Sequence, residues 1–175
     1  MRKLITFAVL LSVSAALFVS AAPAFATKQQ WKFAIEEITG SVQDKFAQFF
    51  KNKIAGKMPD VDFVIYPVGV LGDSEDLTEQ TMNGVLQFAM ASPGHLGTFI
   101  PVVRVFSLPF IWSDRMEVNK DVMKNSVAIY KLLDVEYEKH NLKLLGVFPE
   151  GWQIWTANKP LRKPDDFKNF RMRIM

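Results

Sequence analysis

The hydrophobic pattern of residues 31–91 switches repeatedly between two periods, and this switching constrains the fold more than any other feature of the sequence. A period of two is typical of strands, and a period between three and four is typical of helices. The pattern predicts, in order, strand 31–35, helix 41–55, strand 61–66, helix 74–82 and strand 85–91. Strands that alternate with helices form a parallel sheet with right-handed crossovers, so we predict an α/β fold.

The carboxyl ends of the predicted strands are the places where a sheet of this kind binds ligands. Three segments follow strands directly, namely residues 36–40, 67–74 and 92–97. The last of them contains Ser92 and His95 in a polar, glycine-rich turn. A histidine in such a turn is either a ligand contact or an ordinary solvated side chain, and the pattern alone leaves both interpretations open.

After residue 97 the periodicity is less regular, because prolines and aromatic residues interrupt it. Residues 105–112 are very apolar and are predicted to form an irregular buried segment. Beyond them we expect, in order, helices 116–124 and 126–140, a buried strand 142–148, a strand 153–157, a short helix at 164–167 and a final strand 170–175. The expected apolar stripe of helix 126–140 consists of Ile129, Leu132, Leu133 and Tyr137.

The N-terminal sequence predicts the cellular compartment of the protein. Arg2 and Lys3 precede an apolar run over residues 4–22, and Ala24-Phe25-Ala26 has the small residues of a cleavage site. This arrangement predicts a secretory signal peptide over residues 1–26 and a periplasmic protein, with a retained membrane anchor as the alternative. Removing two of the 21 basic residues leaves 19 against 18 acidic ones. The near-neutral balance, without a basic tract, argues against nucleic-acid binding.

The residues that carry most enzyme chemistry are scarce. The sequence has no cysteine, and its two histidines, His95 and His140, are far apart. It contains no Gly-x-Ser-x-Gly elbow, phosphate loop or dinucleotide-binding glycine motif, so we expect no enzyme activity, no cofactor and no metal site. An ordinary hydrophobic core, rather than a disulfide scaffold, is expected to hold the fold together.

Two features towards the C-terminus carry binding chemistry. Trp152 lies beside Gln153, where an aromatic side chain either walls a pocket or packs in the core. Arg171 and Arg173 alternate with apolar residues, and each is either a solvated charge or the partner of an anion, because a guanidinium matches a carboxylate in geometry. Since the expected last strand has no turn or partner after it, we also expect the chain to be an N-terminal fragment.

The sequence resembles a known family, the DctP-type solute-binding proteins of tripartite ATP-independent periplasmic (TRAP) transporters. The order and spacing of several short motifs carry this resemblance, although no single motif is unique. In chain order these motifs are Tyr66-Pro67-Val68-Gly69-Val70-Leu71-Gly72-Asp73, Leu108-Pro109-Phe110, Thr156-Ala157-Asn158-Lys159-Pro160-Leu161 and Pro164-Asp165-Asp166-Phe167-Lys168-Asn169-Phe170-Arg171-Met172-Arg173-Ile174.

The resemblance implies a periplasmic binding protein-like fold of the type II-like kind, in which two α/β lobes joined by a hinge close on a small organic anion. The first lobe would comprise residues 27–149, and the truncated second lobe would begin at residues 150–175. The family's ligand arginine matches Arg173, whereas Arg171 would face outward. A second ligand arginine found in many members corresponds to Gln153, which casts doubt on a double-arginine clamp here.

The resemblance also implies ligand contacts at the ends of the first and third strands, where Glu36 with its neighbour Glu37, and Ser92, match contact positions. Our hypothesis is that Glu36 or Glu37 recognises an ammonium or hydroxyl group, as in an amino acid or hydroxy acid. A surface pair that merely caps a loop is the alternative. The pocket residues expected from the sequence are Arg173, Glu36, Glu37, Ser92, Gln153, His95 and Trp152.

The function implied is a monomeric, periplasmic binding protein that delivers a small carboxylate to TRAP membrane permease subunits. A binding protein of an ATP-driven importer is the alternative, because it would share the closing mechanism and differ in its membrane partner. The identity of the ligand stays open at this stage.

Overall fold

The computed structural model describes residues 28–152, 154 and 156–173. The predicted signal peptide, Gln153 and the last two residues of the chain lie outside this part. The described elements, in chain order, are strand β1 Gln29–Ala34, helix α1 Val42–Ala55, strand β2 Val61–Tyr66, helix α2 Ser74–Met82, strand β3 Phe88–Ala89, helix α3 Pro93–Leu96, 3₁₀-helix Pro101–Ser107, helix α4 Met116–Asn125, π-helix Ala128–Leu133, helix α5 Asp134–Glu138 and 3₁₀-helix Pro164–Phe167. None of the helices within these residues has the length and apolar character needed to cross a membrane.

The first half of the chain forms a parallel three-stranded sheet in the order β2–β1–β3, as the sequence predicts. The central strand β1 pairs Phe33 with Ile65 of β2 on one side and with Phe88 of β3 on the other. The third strand is shorter than predicted, because only Phe88 and Ala89 form its ladder. The α/β fold class is confirmed, and β1 lies at the centre of the sheet.

The two long helices cover opposite faces of β1, because successive side chains of a strand point to opposite faces. On one face, Phe33 and Ile35 pack with Ala47 of α1 in a buried cluster. On the other face, Ala34 packs with Leu77 of α2 and Leu86. Both faces of the central strand are therefore buried, as parallel sheets require.

Side-chain caps fix where α1 and α2 begin. The Ser41 hydroxyl accepts a hydrogen bond from the backbone N–H of Asp44 at 3.1 Å. Asp73 forms a capping box with Asp76, in which each carboxylate accepts from the other residue's backbone N–H. These caps satisfy N–H groups that the first turn of a helix leaves unpaired, and they confirm the helix starts expected from the sequence.

The apolar segment 105–112 is irregular, as predicted, but its predicted burial is wrong. Val105 and Phe106 belong to the 3₁₀-helix, and Leu108, Phe110 and Ile111 beyond it are exposed. Phe110 has a positive φ of 64°, which turns the chain so that its ring lies entirely in solvent. The segment is held instead by Trp112, whose indole N–H donates to the Phe106 carbonyl oxygen at 2.8 Å.

The predicted helix 126–140 forms as a π-helix that continues into α5. Ile129 and Leu133 of its predicted apolar stripe are buried, and Tyr137 packs beside them, but Leu132 is 70% exposed. The π-helix places more residues in each turn than an α-helix does, since its bonds join residues five apart. A residue three positions after Ile129 therefore leaves the buried face, whereas the residue four positions after it remains there.

The predicted strand 142–148 is wrong, because these residues form no strand. Phe148 instead stacks on Phe46 of α1, with ring centroids 4.9 Å apart, and Leu145 is exposed. A strand needs a neighbouring backbone to complete its ladder, and within the described residues no strand runs beside this segment. The described residues of the predicted strands 153–157 and 170–175 also lack strand structure, whereas the short helix at Pro164–Phe167 is confirmed.

Candidate functional site

The order of the strands identifies one place in the sheet where a crevice opens. The chain passes from β1 to β2 on one side and then crosses to β3 on the other side. In open α/β sheets, ligands bind outside the carboxyl ends of the strands at such a switch point. Glu36 follows β1 and Ser92 follows β3, so the two residues lie at the switch point.

Glu36 and Ser92 contact each other there. The backbone N–H of Ser92 donates to Oε2 of Glu36 at 2.7 Å. The other carboxylate oxygen, Oε1, and the Ser92 hydroxyl are both buried and have no hydrogen-bond partner among the described residues. Buried polar groups in folded proteins are nearly always paired, so two neighbouring unpaired oxygens indicate a place prepared for another molecule.

The surroundings of Glu36 oppose its ionisation. Burial removes water from the carboxylate and raises the pKa of Glu36 above its usual value of 4.5. The hydrogen bond from the Ser92 backbone N–H is the main influence in the opposite direction and favours the charged form. A carboxylate that has lost its water interacts strongly with a cationic group that replaces the water.

The hydroxyl of Ser92 is free although the residue directly precedes α3. Ser92 occupies the N-cap position of this short helix, but its side chain makes no capping hydrogen bond. The sequence predicts an irregular turn at residues 92–97, and the structure instead forms one helical turn that begins at Pro93. That helix also carries His95, which influences the pKa of the Glu36 carboxyl electrostatically.

A buried glutamine lies behind Glu36. Oε1 of Gln43 accepts a hydrogen bond from the backbone N–H of Glu36 at 2.8 Å, and its Nε2 donates to Oε1 of Glu150 at 2.7 Å. Gln43 is only 5% exposed. Gln43 and Glu150 are not among the residues predicted for the site, whereas Ser74 ends the predicted ligand-binding segment 67–74. Gln43 carries a signal in the sequence, because it is a polar residue next to the apolar positions of α1, whereas Glu150 carries none.

The remaining predicted site residues are not brought to Glu36. Glu37 is half-buried, and its carbonyl oxygen accepts from the backbone N–H of Val68 at 3.1 Å. Trp152 and Arg173 are exposed, and no hydrogen bond or ion pair joins Arg173 to a described residue. Gln153 lies outside the described residues. The structure therefore brings Glu36 and Ser92 together. Every predicted ligand contact, including those of Glu36, Ser92 and His95, stays a prediction.

The described residues contain no group of three or more His, Cys, Asp or Glu side chains arranged to hold a metal ion. The site offers the unpaired carboxylate oxygen of Glu36 and the unpaired hydroxyl of Ser92 at the end of a sheet. This set suits a ligand that donates hydrogen bonds or carries positive charge.

Comparison with known proteins identifies the family. The family model described as bacterial extracellular solute-binding protein, family 7 (DctP) matches residues 33–175. The chain belongs to this family. The resemblance inferred from the motifs is therefore confirmed, because the chain matches the family model and is similar to TRAP-type binding proteins.

Two curated members of the DctP-type family resemble the chain over most of its length. The ectoine-binding periplasmic protein TeaA of Halomonas elongata is 39% identical over 150 residues, which is 86% of this chain and 44% of that protein. The ectoine/5-hydroxyectoine-binding periplasmic protein UehA of Ruegeria pomeroyi is 35% identical over 164 residues, or 94% of this chain and 48% of that protein. The chain thus spans about half the length of these relatives.

Solved structures of the family have the same fold. The high-resolution structure of the Halomonas elongata protein superposes with a TM-score of 0.76 over 79% of this chain and 44% of its own. A TRAP solute-binding protein of Chromohalobacter salexigens with bound D-glucuronate is 27% identical, with a TM-score of 0.57 over 63% of this chain and 36% of its own. The described part of the chain is therefore a portion of the two-lobed, periplasmic binding protein-like fold, as predicted.

Proposed function

We propose that the protein binds a small organic acid that also carries a cationic group, and that ectoine is this ligand. The observation that carries the proposal is the unpaired Oε1 of Glu36, buried beside the unpaired hydroxyl of Ser92 at the switch point of the sheet. A carboxylate in this position attracts a cationic N–H group and disfavours a second anion. Glu36 is thus the residue that selects for positive charge.

The chemistry of ectoine suits this pocket. Ectoine is a cyclic amino acid whose ring contains one cationic amidinium group with two N–H donors, and it also carries a carboxylate. Its ring nitrogens would donate to Oε1 of Glu36, and the Ser92 hydroxyl would bond to the same edge of the ring. Its carboxylate would pair with Arg173, the position that matches the ligand arginine of the family. The two curated relatives described above, both named for ectoine binding, support this choice.

A sugar acid is a poorer match to the same site. D-glucuronate, the ligand bound by the Chromohalobacter salexigens relative, carries a carboxylate and hydroxyl groups but no cation. Its hydroxyls form hydrogen bonds to Glu36 without neutralising the buried charge. Because hydrogen bonds between a charged and a neutral group are weaker than those within an ion pair, we expect lower affinity for this acid.

The wider setting of the proposal follows from the family. The protein would act in the periplasm after cleavage of residues 1–26, as a monomer, and would deliver the ligand to TRAP membrane permease subunits. Residues 27–149 would form the first lobe, and residues 150–175 the start of the second. The membership in the DctP-type family favours a TRAP permease over an ATP-driven importer as the partner.

A calorimetric titration of the purified protein with ectoine and with D-glucuronate tests the proposal. We expect ectoine to bind at least about tenfold more tightly, since the loss of one buried charge pair costs about 2 to 5 kcal/mol. Glu36→Gln should remove this preference, because the amide keeps the shape of the side chain but not its charge. Glu37→Gln is the matched control and should leave both affinities unchanged.

The proposal is wrong if wild-type protein binds ectoine and D-glucuronate equally well, or binds neither. It is also wrong if Glu37→Gln, rather than Glu36→Gln, removes the preference for ectoine. In that case the adjacent carboxylate, and not the one at the switch point, recognises the cation.

A further inference from the structure

Gln43 stands out among the buried polar side chains because both ends of its amide form hydrogen bonds, one to a residue seven positions earlier and one to a residue far along the chain. Its Oε1 holds the backbone N–H of Glu36, and its Nε2 holds the carboxylate of Glu150. Glu150 follows Gln43 by 107 positions. A single side chain thus joins the end of β1 to the segment around residue 150.

The two bonds differ in what they do. The bond to Glu36 fixes the main chain from which the site carboxylate projects, at a distance of 2.8 Å. The bond to Glu150 is charge-assisted and 2.7 Å long, and its acceptor residue is exposed. Hydrogen bonds to a charged acceptor are roughly twice as strong as neutral ones, so the exposed carboxylate sets the orientation of the buried amide.

We propose that Gln43 is a positioning residue that couples the carboxylate of Glu36 to Glu150, so that ligand affinity depends on an exposed residue outside the pocket. The inference rests on the proposed function, because Glu36 must contact the ligand for affinity to respond. Segment 149–151 is where we expect the chain to pass towards the second lobe. A displacement of this segment would move the Gln43 amide and, through it, the backbone of Glu36.

Exchanging the amide and the carboxylate between positions 43 and 150 tests this coupling. Gln43→Glu keeps an acceptor for the Glu36 N–H but loses the donor, and it places two carboxylates against each other. Glu150→Gln keeps an acceptor for Nε2 of Gln43. In the double variant, the amide introduced at position 150 donates to the carboxylate introduced at position 43, so the bond between these positions forms again with its donor and acceptor exchanged. The bond from the Glu36 N–H to position 43 keeps its direction.

We expect Gln43→Glu to weaken ectoine binding by about tenfold and Glu150→Gln by less than about threefold, with the double variant within about threefold of wild type. A residue that serves stability alone would not show this recovery of affinity. The proposal is overturned if the double variant binds as weakly as Gln43→Glu, or if Gln43→Glu lowers the melting temperature and leaves affinity unchanged.

Glu150→Ala provides a variant that does not disturb the core, because its side chain is exposed. We expect it to weaken ectoine binding by about three- to tenfold without lowering the melting temperature. Unchanged affinity in this variant overturns the proposal even if Gln43→Glu does not fold.

A measurement without ligand separates this inference from the proposed function. The NMR shift of the Glu36 amide proton in the free protein should change in Glu150→Ala and in Gln43→Glu, and should return towards the wild-type value in the exchange variant. If this shift behaves as expected while ectoine does not bind, the proposed ligand is wrong and the coupling stands. If ectoine binds but the shift stays constant, the coupling is wrong and the ligand stands.

Discussion

Residues 28–97 and residues 142–173 have similar sequence patterns but form different structures. Both regions contain alternating apolar residues, yet only the first forms a sheet. In the first region each strand lies beside another, and two capped helices cover both faces of β1. In the second, the described residues form one short 3₁₀-helix, and several large apolar side chains are exposed, including Leu145, Trp152 and Ile154. An alternating pattern thus becomes a strand only where a neighbouring backbone is present.

The largest expected contrast between the two regions is in stability. Phe33 is buried and contacts Phe50 and Phe63 edge to face, so Phe33→Ala should lower the free energy of unfolding by about 3 to 5 kcal/mol. Leu145→Ala, at a site that is 65% exposed, should change it by less than about 0.5 kcal/mol. Urea denaturation measures both variants, and equal losses would contradict the contrast.

Measurements of ligand affinity should show that residues 142–173, the less regular region, contribute to binding. We expect Arg173→Ala to weaken ectoine binding by about 2 to 5 kcal/mol, since a charge pair with the ligand carboxylate is lost. The stability of this variant should hardly change, because the Arg173 side chain is exposed. Arg171→Ala is the matched control two positions earlier, and a larger effect there would show that the two arginines have been assigned the wrong way round.

The smallest expected effect is the change in stability with pH that the Glu36 carboxylate causes in the first region. The pKa of Glu36 is raised by burial, so the folded protein holds this proton more tightly than the unfolded chain does. The contribution of Glu36 to stability is therefore present at low pH and is lost as pH rises through the folded-state pKa, above 4.5. Glu36→Gln should remove this loss and raise the melting temperature of the ligand-free protein at neutral pH.

Thermal unfolding from pH 4 to pH 8, with Glu37→Gln as control, checks the sign of this effect. A lower melting temperature for Glu36→Gln at neutral pH would mean that the charged carboxylate stabilises the free protein. The same variant should bind ectoine less tightly, so stability and function are expected to change in opposite directions.

The elements that the sequence predicts well are those with local causes. The starts of α1 and α2 depend on Ser41 and Asp73, whose caps act within three residues. The predicted strand 142–148 is wrong because strand formation depends on a partner elsewhere in the chain. The exposure of Leu132 was not predicted, since a π-helix has no periodic signal of its own in the sequence.

The candidate site likewise contains features that the sequence predicts and features that it does not. Glu36 and Ser92 were expected from their positions after strands and from the family resemblance, and the structure brings them together. The link through Gln43 to Glu150 was not predicted, because no pattern in one sequence connects residues 107 positions apart. The orientation of a buried amide also depends on tertiary contacts that periodicity does not contain.

The hydrogen bond between Ser92 and Glu36 also continues the sheet beyond the point where β3 ends. The backbone N–H of Met90 donates to the carbonyl oxygen of Ala34, and two residues further on each strand the N–H of Ser92 donates to Oε2 of Glu36. A side-chain oxygen thus takes the place that a backbone carbonyl would hold in the next rung of the ladder. Since Glu36 is also the residue proposed to bind the ligand, the hydrogen-exchange rate of the single Ser92 amide should report whether the site is occupied.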